Sequence, residues 1–162
     1  MIAYRAWIAR MGAALTTYRT YLDHLANGRF DRLEEVVDAP HYVENYVGLT
    51  GWTIGLDVAM ANLQSGLLSS FSDLASEEQD IVETDDTVVA RTRMSGTHTG
   101  PFFGLEATGK RVTWDAVGIN RIGRDGRINW RFLLCDWNGA RLQILGQPAD
   151  LPAEPHRQGT TG

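Results

Sequence analysis

The chain has 162 residues, 43% hydrophobic and 22% charged, the proportions of one soluble globular domain with a core of useful size. Fifteen basic residues against twenty acidic ones give a formal net charge of −5 with no long basic run, which argues against nucleic acid as the main partner. A single cysteine, Cys135, excludes an internal disulfide and a cysteine metal cluster. No apolar run reaches the roughly 18–20 residues of a membrane span and no signal-peptide core is present, so a cytoplasmic protein is expected.

The chain opens as a helix. Tyr4, Trp7, Ile8, Met11, Leu15, Tyr18, Leu22 and Leu25 recur at three- and four-residue steps and paint one apolar stripe, which Asn27-Gly28 ends. Asp31 followed by Glu34 reads as a capping box opening a short helix through Val37, and Asp38-Ala39-Pro40 stops it. His41 to Val47 then reads as a short extended piece. A third helix is expected over 56–70, with Val58, Ala61, Leu68 and Phe71 among its buried positions.

Strand character follows. Residues 78–83, 87–98, 111–122 and 127–137 are rich in β-branched and aromatic side chains, separated by Asp85-Asp86, a long connection over 100–109 and Gly123-Arg124-Asp125-Gly126. A short closing element is expected over 138–145. Residues 1–147 read as a single α+β domain, helices first and antiparallel strands afterwards, and the proline-rich tail 148–162 reads as disordered. His24, His41, His98 and His156 are scattered without the spacing of a zinc site, so no metal is expected.

Which side chains meet depends on the last hairpin. A three-residue loop with Gly126 in the left-handed position pairs Gly123 with Arg127, and onward Asn120 with Trp130, Gly118 with Phe132, Ala116 with Leu134 and Trp114 with Asp136. One face then carries Trp114, Asn120, Trp130, Phe132, Leu134 and Asp136. The other carries Asp115, Val117, Ile119, Leu133, Cys135 and Trp137. A two-residue turn would slip the pairing by one and set Asp115 against Asp136. Both faces are apolar and one helical layer covers only one of them, so the second is expected to bury against another copy of the chain. On the preceding strand Val88, Ala90, Thr92, Met94, Gly96 and His98 share the helix-covered face.

Asp136 closes an otherwise apolar strand. It is either a carboxylate at an exposed strand end beside Asn138-Gly139, or a desolvated group with a raised pKa and a chemical task. Cys135, inside the same apolar strand, reads as a packed thiol.

The run Val88-Val89-Ala90-Arg91 to Gly96-Thr97-His98-Thr99-Gly100, then Phe103-Gly104 and Thr108-Gly109-Lys110, resembles the SnoaL-like polyketide cyclases of the nuclear-transport-factor-2-like superfamily. Tyr42-Val43-Glu44, Ser72-Asp73-Leu74, Asp125-Gly126-Arg127-Ile128 and the closing Gln143 to Gly146 extend the likeness over about residues 15–146. The resemblance implies a cone of three N-terminal helices on a curved antiparallel sheet around an apolar cavity, dimers through the outer sheet face, and intramolecular aldol ring closure without metal or cofactor. It also implies an aspartate acid/base in the last long strand, within a motif like Glu-His-Trp-x-x-x-Asp, whose positions here are Trp130, Arg131, Phe132 and Asp136.

Only the aspartate of that motif survives. Gly118 replaces a frequently acidic position, Asn45 a frequent histidine and Ala107 a proline. These departures predict a drier, more aromatic pocket for a flat or polycyclic apolar substrate. The expected catalytic groups are Asp136, desolvated among Trp114, Phe132 and Leu134, and His98. Tyr46, Asn45, Trp114, Asn120, Trp130 and Phe132 are expected to hold the substrate. Epoxide-opening cyclisation, cofactor-free hydroxylation, and a non-catalytic carrier or assembly role on the same scaffold are the alternatives.

Overall fold

The computed structural model describes residues 2–148, with side chains from Gly12 onward. The side chains of the stripe positions Tyr4, Trp7, Ile8 and Met11 and the tail from residue 149 therefore lie outside what is described. Helix α1 (Ile2–Ala26) stops at the expected place, with Gly28 at a φ of 65°. The capping box does not form. Phe30–Glu35 is a 3-10 turn without a side-chain cap, and Arg32 engages Glu35 instead. Its purpose is to seat Leu33 and Val37, both fully buried. Of the three N-terminal helices expected, the second is thus a tight turn.

A short hairpin follows, β1 (Val43–Tyr46) and the unanticipated β2 (Gly51–Ile54). Helix α2 (Leu56–Leu63) runs on into a π turn, Gln64–Leu68. Leu56, Ala59, Met60 and Leu67 are its buried residues, whereas Val58 and Ala61, expected inside, are exposed. Four long strands complete the sheet: β3 (Phe71–Glu83), β4 (Thr87–His98), β5 (Arg111–Ile122) and β6 (Ile128–Cys135). Strand β3 begins at Phe71, well before the expected start, because bulges at 73–74 and at Gln79 break the alternation that marks a strand in sequence. The closing element is helix α3 (Trp137–Leu145).

The six strands order as β2-β1-β6-β5-β4-β3. Only β1 and β6 run parallel. Helices α1 and α2 cover one face, where Tyr21, Tyr42, Met60 and Ile128 form one core cluster and Tyr18, Val88 and Ala90 another. A third, aromatic cluster around Phe71, Phe102 and Trp114 closes the far end.

The last hairpin turns as expected. The Gly123 N–H donates to the Arg127 carbonyl at 2.7 Å, and Gly126 takes a φ of 83°. The register beyond it does not hold. Ile122 pairs with Ile128, but Arg121 pairs with Trp130, so Asn129 is an extra residue on β6. From there Asn120 faces Arg131, Gly118 faces Leu133 and Ala116 faces Cys135. The bulge keeps the fully buried Ile128 inside, where it also bridges Val37, while handing the inner face to Arg131, Leu133 and Cys135. Every side chain of β6 after it points opposite to the expectation.

Candidate active site

A cavity of about 650 Å³ opens between α1, the π turn and strands β3 to β6. Leu22, Leu63, Leu67, Phe71, Met94 and Leu133 give it apolar walls, and Tyr18, Tyr46, Thr92, Asn120 and Arg131 supply its inner polar groups. Gly118 keeps the floor low, since a Cβ there would meet Leu133 Cδ1 at 3.1 Å. The carboxylates of the wall stand at its exposed mouth, each engaged by an arginine. Glu78 receives Arg19 at 2.9 Å, Asp23 pairs with Arg29, and Asp73 pairs with Arg111. The Asp73 carboxyl is held below its usual range by hydrogen bonds from Thr97, with Arg111 adding to the effect.

The interior is organised by one row across three strands. Glu44 on β1 and Asn120 on β5 are the register partners of Arg131 on β6. Arg131 is 9% exposed and Glu44 4%. The Arg131 Nη1 donates to Glu44 Oε2 at 2.9 Å and to the Tyr21 hydroxyl at 3.1 Å, while the Tyr42 hydroxyl donates to the same Glu44 oxygen at 2.8 Å. The guanidinium lies over the Tyr21 ring at 5.2 Å and the Tyr46 ring at 5.9 Å. Burial opposes its charge, but Tyr21 and Glu44 more than offset this and hold Arg131 well above the ordinary guanidinium range. Burial likewise pushes the Tyr21 phenol up to about 12 and Tyr46 well above its ordinary value. The interior therefore carries a permanent cation flanked by neutral phenols.

Tyr46 and Asn120 stand in the cavity wall as expected. Trp114 is fully buried on the same face but lies deeper, 5.1 Å from the Phe71 ring and 5.9 Å from Trp137. Trp130 and Phe132 lie on the outer face, stacked on each other at 6.3 Å, with Arg121 over Trp130. Asn45 alternates outward between Glu44 and Tyr46 and pairs with Trp52 and Phe132. These three do not face the cavity, for the reason the bulge and the β1 alternation give.

Asp136 is the N-cap of α3, its Oδ1 accepting from the Gly139 N–H at 2.8 Å. A Cβ at position 139 would come within 2.1 Å of the Asp136 Oδ2, so the expected Asn138-Gly139 turn is the first turn of a helix built around this carboxylate. Asp136 is not among the residues lining the cavity. Nor is it set among Phe132 and Leu134, which point outward. His98 is fully buried, its Nδ1 3.1 Å from the Thr108 hydroxyl and its ring 5.5 Å from Phe71, and burial lowers its pKa. The structure does not bring Asp136 and His98 into the cavity wall.

Sequence reasoning passed over Arg131 and Glu44. The pocket is not drained of polar groups. Two signals were available: an arginine inside the apolar run of β6, which must find a carboxylate if it is buried, and a glutamate sharing strand parity with Tyr42 and Tyr46. Cys135 is a packed thiol, as expected, its pKa raised to about 12 by burial. Among the described residues no three His, Cys, Asp or Glu side chains converge to hold a metal ion. No described helix is long and apolar enough to cross a membrane.

The model of the SnoaL-like polyketide cyclase family matches residues 15–144. No curated protein matches the chain. Among solved structures, a candidate SnoaL-like polyketide cyclase from Jannaschia sp. CCS1 aligns with a TM-score of 0.74 at 21% identity, covering 85% of this chain and 95% of that one. IdmH, a candidate polyketide cyclase from Streptomyces antibioticus, aligns at 0.70 and 27% identity over 82% and 98% of the two chains. AclR, a candidate hydroxylase from Streptomyces galilaeus, aligns at 0.71 and 23% over 88% and 86%. With the cone-like α+β fold and its cavity in place, this chain belongs to the SnoaL-like polyketide cyclases.

Proposed function

We propose that the protein closes a ring in a small polycarbonyl substrate by intramolecular aldol addition, with Arg131 polarising the carbonyl that is attacked. The observation that carries this reading is a buried, permanently charged guanidinium on the wall of a largely apolar cavity. A carbon next to a carbonyl, such as the terminal methyl of a linear triketone, loses a proton to a carboxylate of the mouth and then attacks the carbon of a carbonyl farther along the chain. One carbon–carbon bond forms and the carbonyl π pair moves onto oxygen, beside Arg131. The abstracted proton ends on that oxygen, so the addition is an isomerisation, and loss of water aromatises the ring. A preorganised donor in a water-poor site stabilises such developing charge. The step uses only side chains and water, and Asp136 has a structural task in it.

Two chains pack through the outer sheet face in this reading, because Trp52, Ile54, Val117 and Leu134 are 59%, 72%, 39% and 51% exposed there.

A binding role without turnover is the second reading. It is favoured by the arginine partners that engage the mouth carboxylates and by the lack of a carboxylate in the inner cavity wall. A linear phenyl-substituted triketone separates the two. Ring closure predicts its conversion to phenylresorcinol, seen by mass spectrometry as loss of water, slowed about 10²–10³-fold in Arg131→Gln. Tight binding of the triketone with no conversion would establish the binding role.

A further inference from the structure

Arg131 and Asn120 face each other across β6 and β5, and each leaves one buried polar atom without a partner among the described residues: Nε of the arginine and Oδ1 of the asparagine. The Asn120 amide has its orientation fixed. Its Nδ2 donates to the Val88 carbonyl at 3.3 Å, so the oxygen is the end left over. Asn120 is fully buried and Arg131 nearly so, and both line the cavity. Leaving a buried donor or acceptor unpaired is costly, so native structures seldom carry two on facing positions without reason.

The two cross-strand partners thus offer one unpaired donor and one unpaired acceptor. An ether or carbonyl oxygen accepts from the guanidinium and leaves the amide oxygen unmet. A carboxylate would set negative charge against that oxygen. A hydroxyl satisfies both, accepting from Arg131 Nε and donating to Asn120 Oδ1. We infer that Arg131 and Asn120 form a hydroxyl-recognition point, and that the molecule held in this cavity carries an alcohol, enol or phenol there.

This rests on the ring-closure reading in one respect. The carbonyl oxygen polarised by Arg131 becomes a hydroxyl as the carbon–carbon bond forms, so Asn120 Oδ1 gains its partner only on the product side. The site then binds the aldol adduct better than the open chain, before loss of water removes that hydroxyl, and interactions that strengthen along the reaction are those that accelerate it.

The test uses binding alone, so that it can fail separately from turnover. Naphthol, methoxynaphthalene and naphthalene share a bicyclic body small enough for the cavity and differ at one oxygen. Titration calorimetry on the full chain should show naphthol binding about tenfold or more tighter than methoxynaphthalene, with methoxynaphthalene close to naphthalene. In Asn120→Leu, similar in size but without the acceptor, the ratio should fall to about twofold or less. Equal affinities in the wild type, including no binding of any probe, overturn the inference without recourse to a variant. A preference that survives Asn120→Leu also overturns it, as does a crystal structure of the free protein in which Arg131 Nε bonds Asn120 Oδ1 directly. A protein that prefers naphthol but never cyclises the triketone keeps this inference and loses the ring-closure reading, and the reverse pattern does the opposite.

Discussion

The two faces of β6 are built from similar residues and do opposite things. Inward, Arg131, Leu133 and Cys135 are 9%, 6% and 8% exposed, the first two lining the cavity and Cys135 packing in the aromatic core behind it. Outward, Trp130, Phe132 and Leu134 make an apolar ridge, with Leu134 half in solvent. The more hydrophobic face is the outer one, and the face holding the charge is the buried one. What separates them is partnership: Arg131 has Glu44, Tyr21 and Tyr42 around it, whereas Trp130 meets Arg121 and the neighbouring rings. On this strand the site is marked by a charge that could not be buried without company.

The largest expected effect tests that company. Removing one partner of a buried ion pair typically costs about 3–5 kcal/mol, because the other charge stays behind. Arg131→Met should lower stability by that amount in urea denaturation. Arg131→Met combined with Glu44→Leu should recover most of it, since a well-packed apolar pair is often as stable. Both proteins should lose triketone turnover. An Arg131→Met protein as stable as the wild type would show the pair to be solvated, and the contrast between the faces would collapse.

The outer face gives the next effect. If two copies pack through it, light scattering at micromolar concentration should report twice the 18.0 kDa chain mass, and Leu134→Lys should report the single mass. Turnover and naphthol binding should be unchanged, because Leu134 does not touch the cavity. A monomeric wild type would leave the ridge without its proposed cover.

Strands 87–98 and 111–122 and the end of α1 were legible in the sequence because each has one clear signal, β-branched alternation or a glycine stop, whereas the third helix was placed along the chain without the face it buries. The hairpin at Gly126 was legible for the same reason. What failed was the register of β6, and the cause is specific. Its residues are apolar at both parities, so the pattern does not say which set is inside, and Asn129 and Arg131, two polar markers at one parity, read by ordinary patterning as outward residues. A single bulge at Asn129 then inverts the strand, and nothing local to Asn129 announces it. The parallel pairing of β1 with β6, which brings Glu44 to Arg131, joins residues 87 positions apart and leaves no trace in either segment. Asn120 reads inward because β5 alternates cleanly, whereas the four residues of β1 are too few to fix a parity, and so Asn45 was expected beside Tyr46.

Asp136 offers a smaller effect that sharpens the same contrast. As a helix N-cap, it should tolerate Asp136→Asn, which retains an acceptor, with little change, while Asp136→Ala should cost about 0.5–2 kcal/mol. Gly139→Ala should be the worse substitution, since its Cβ would meet the cap at 2.1 Å. Turnover of the triketone should be retained in both Asp136 variants. A loss of about 10²–10⁴-fold in a folded Asp136→Asn protein would instead return the proton chemistry to that carboxylate.

The smallest effect concerns His98, in the wall's aromatic backing. Burial lowers its pKa in the folded protein, while the unfolded chain keeps a value near about 6.5. Between those two values the unfolded state binds more protons, so stability rises with pH there and falls as pH drops from about 6.5 toward the folded value. Above 6.5 both states are neutral and the contribution is flat. Asp73 acts with the same sign, but its lowered carboxyl confines it to more acidic solution, below about 3.9. Denaturation midpoints of the wild type and His98→Asn measured between about pH 5 and 7 should therefore diverge in slope, with the variant flatter on the acid side. Turnover, corrected for the folded fraction, should not separate the two proteins, because His98 bonds Thr108 and packs on Phe71 outside the cavity wall. A slope unchanged by the substitution would mean that His98 binds its proton equally well folded and unfolded, and a fall in turnover at constant stability would place it in the chemistry after all.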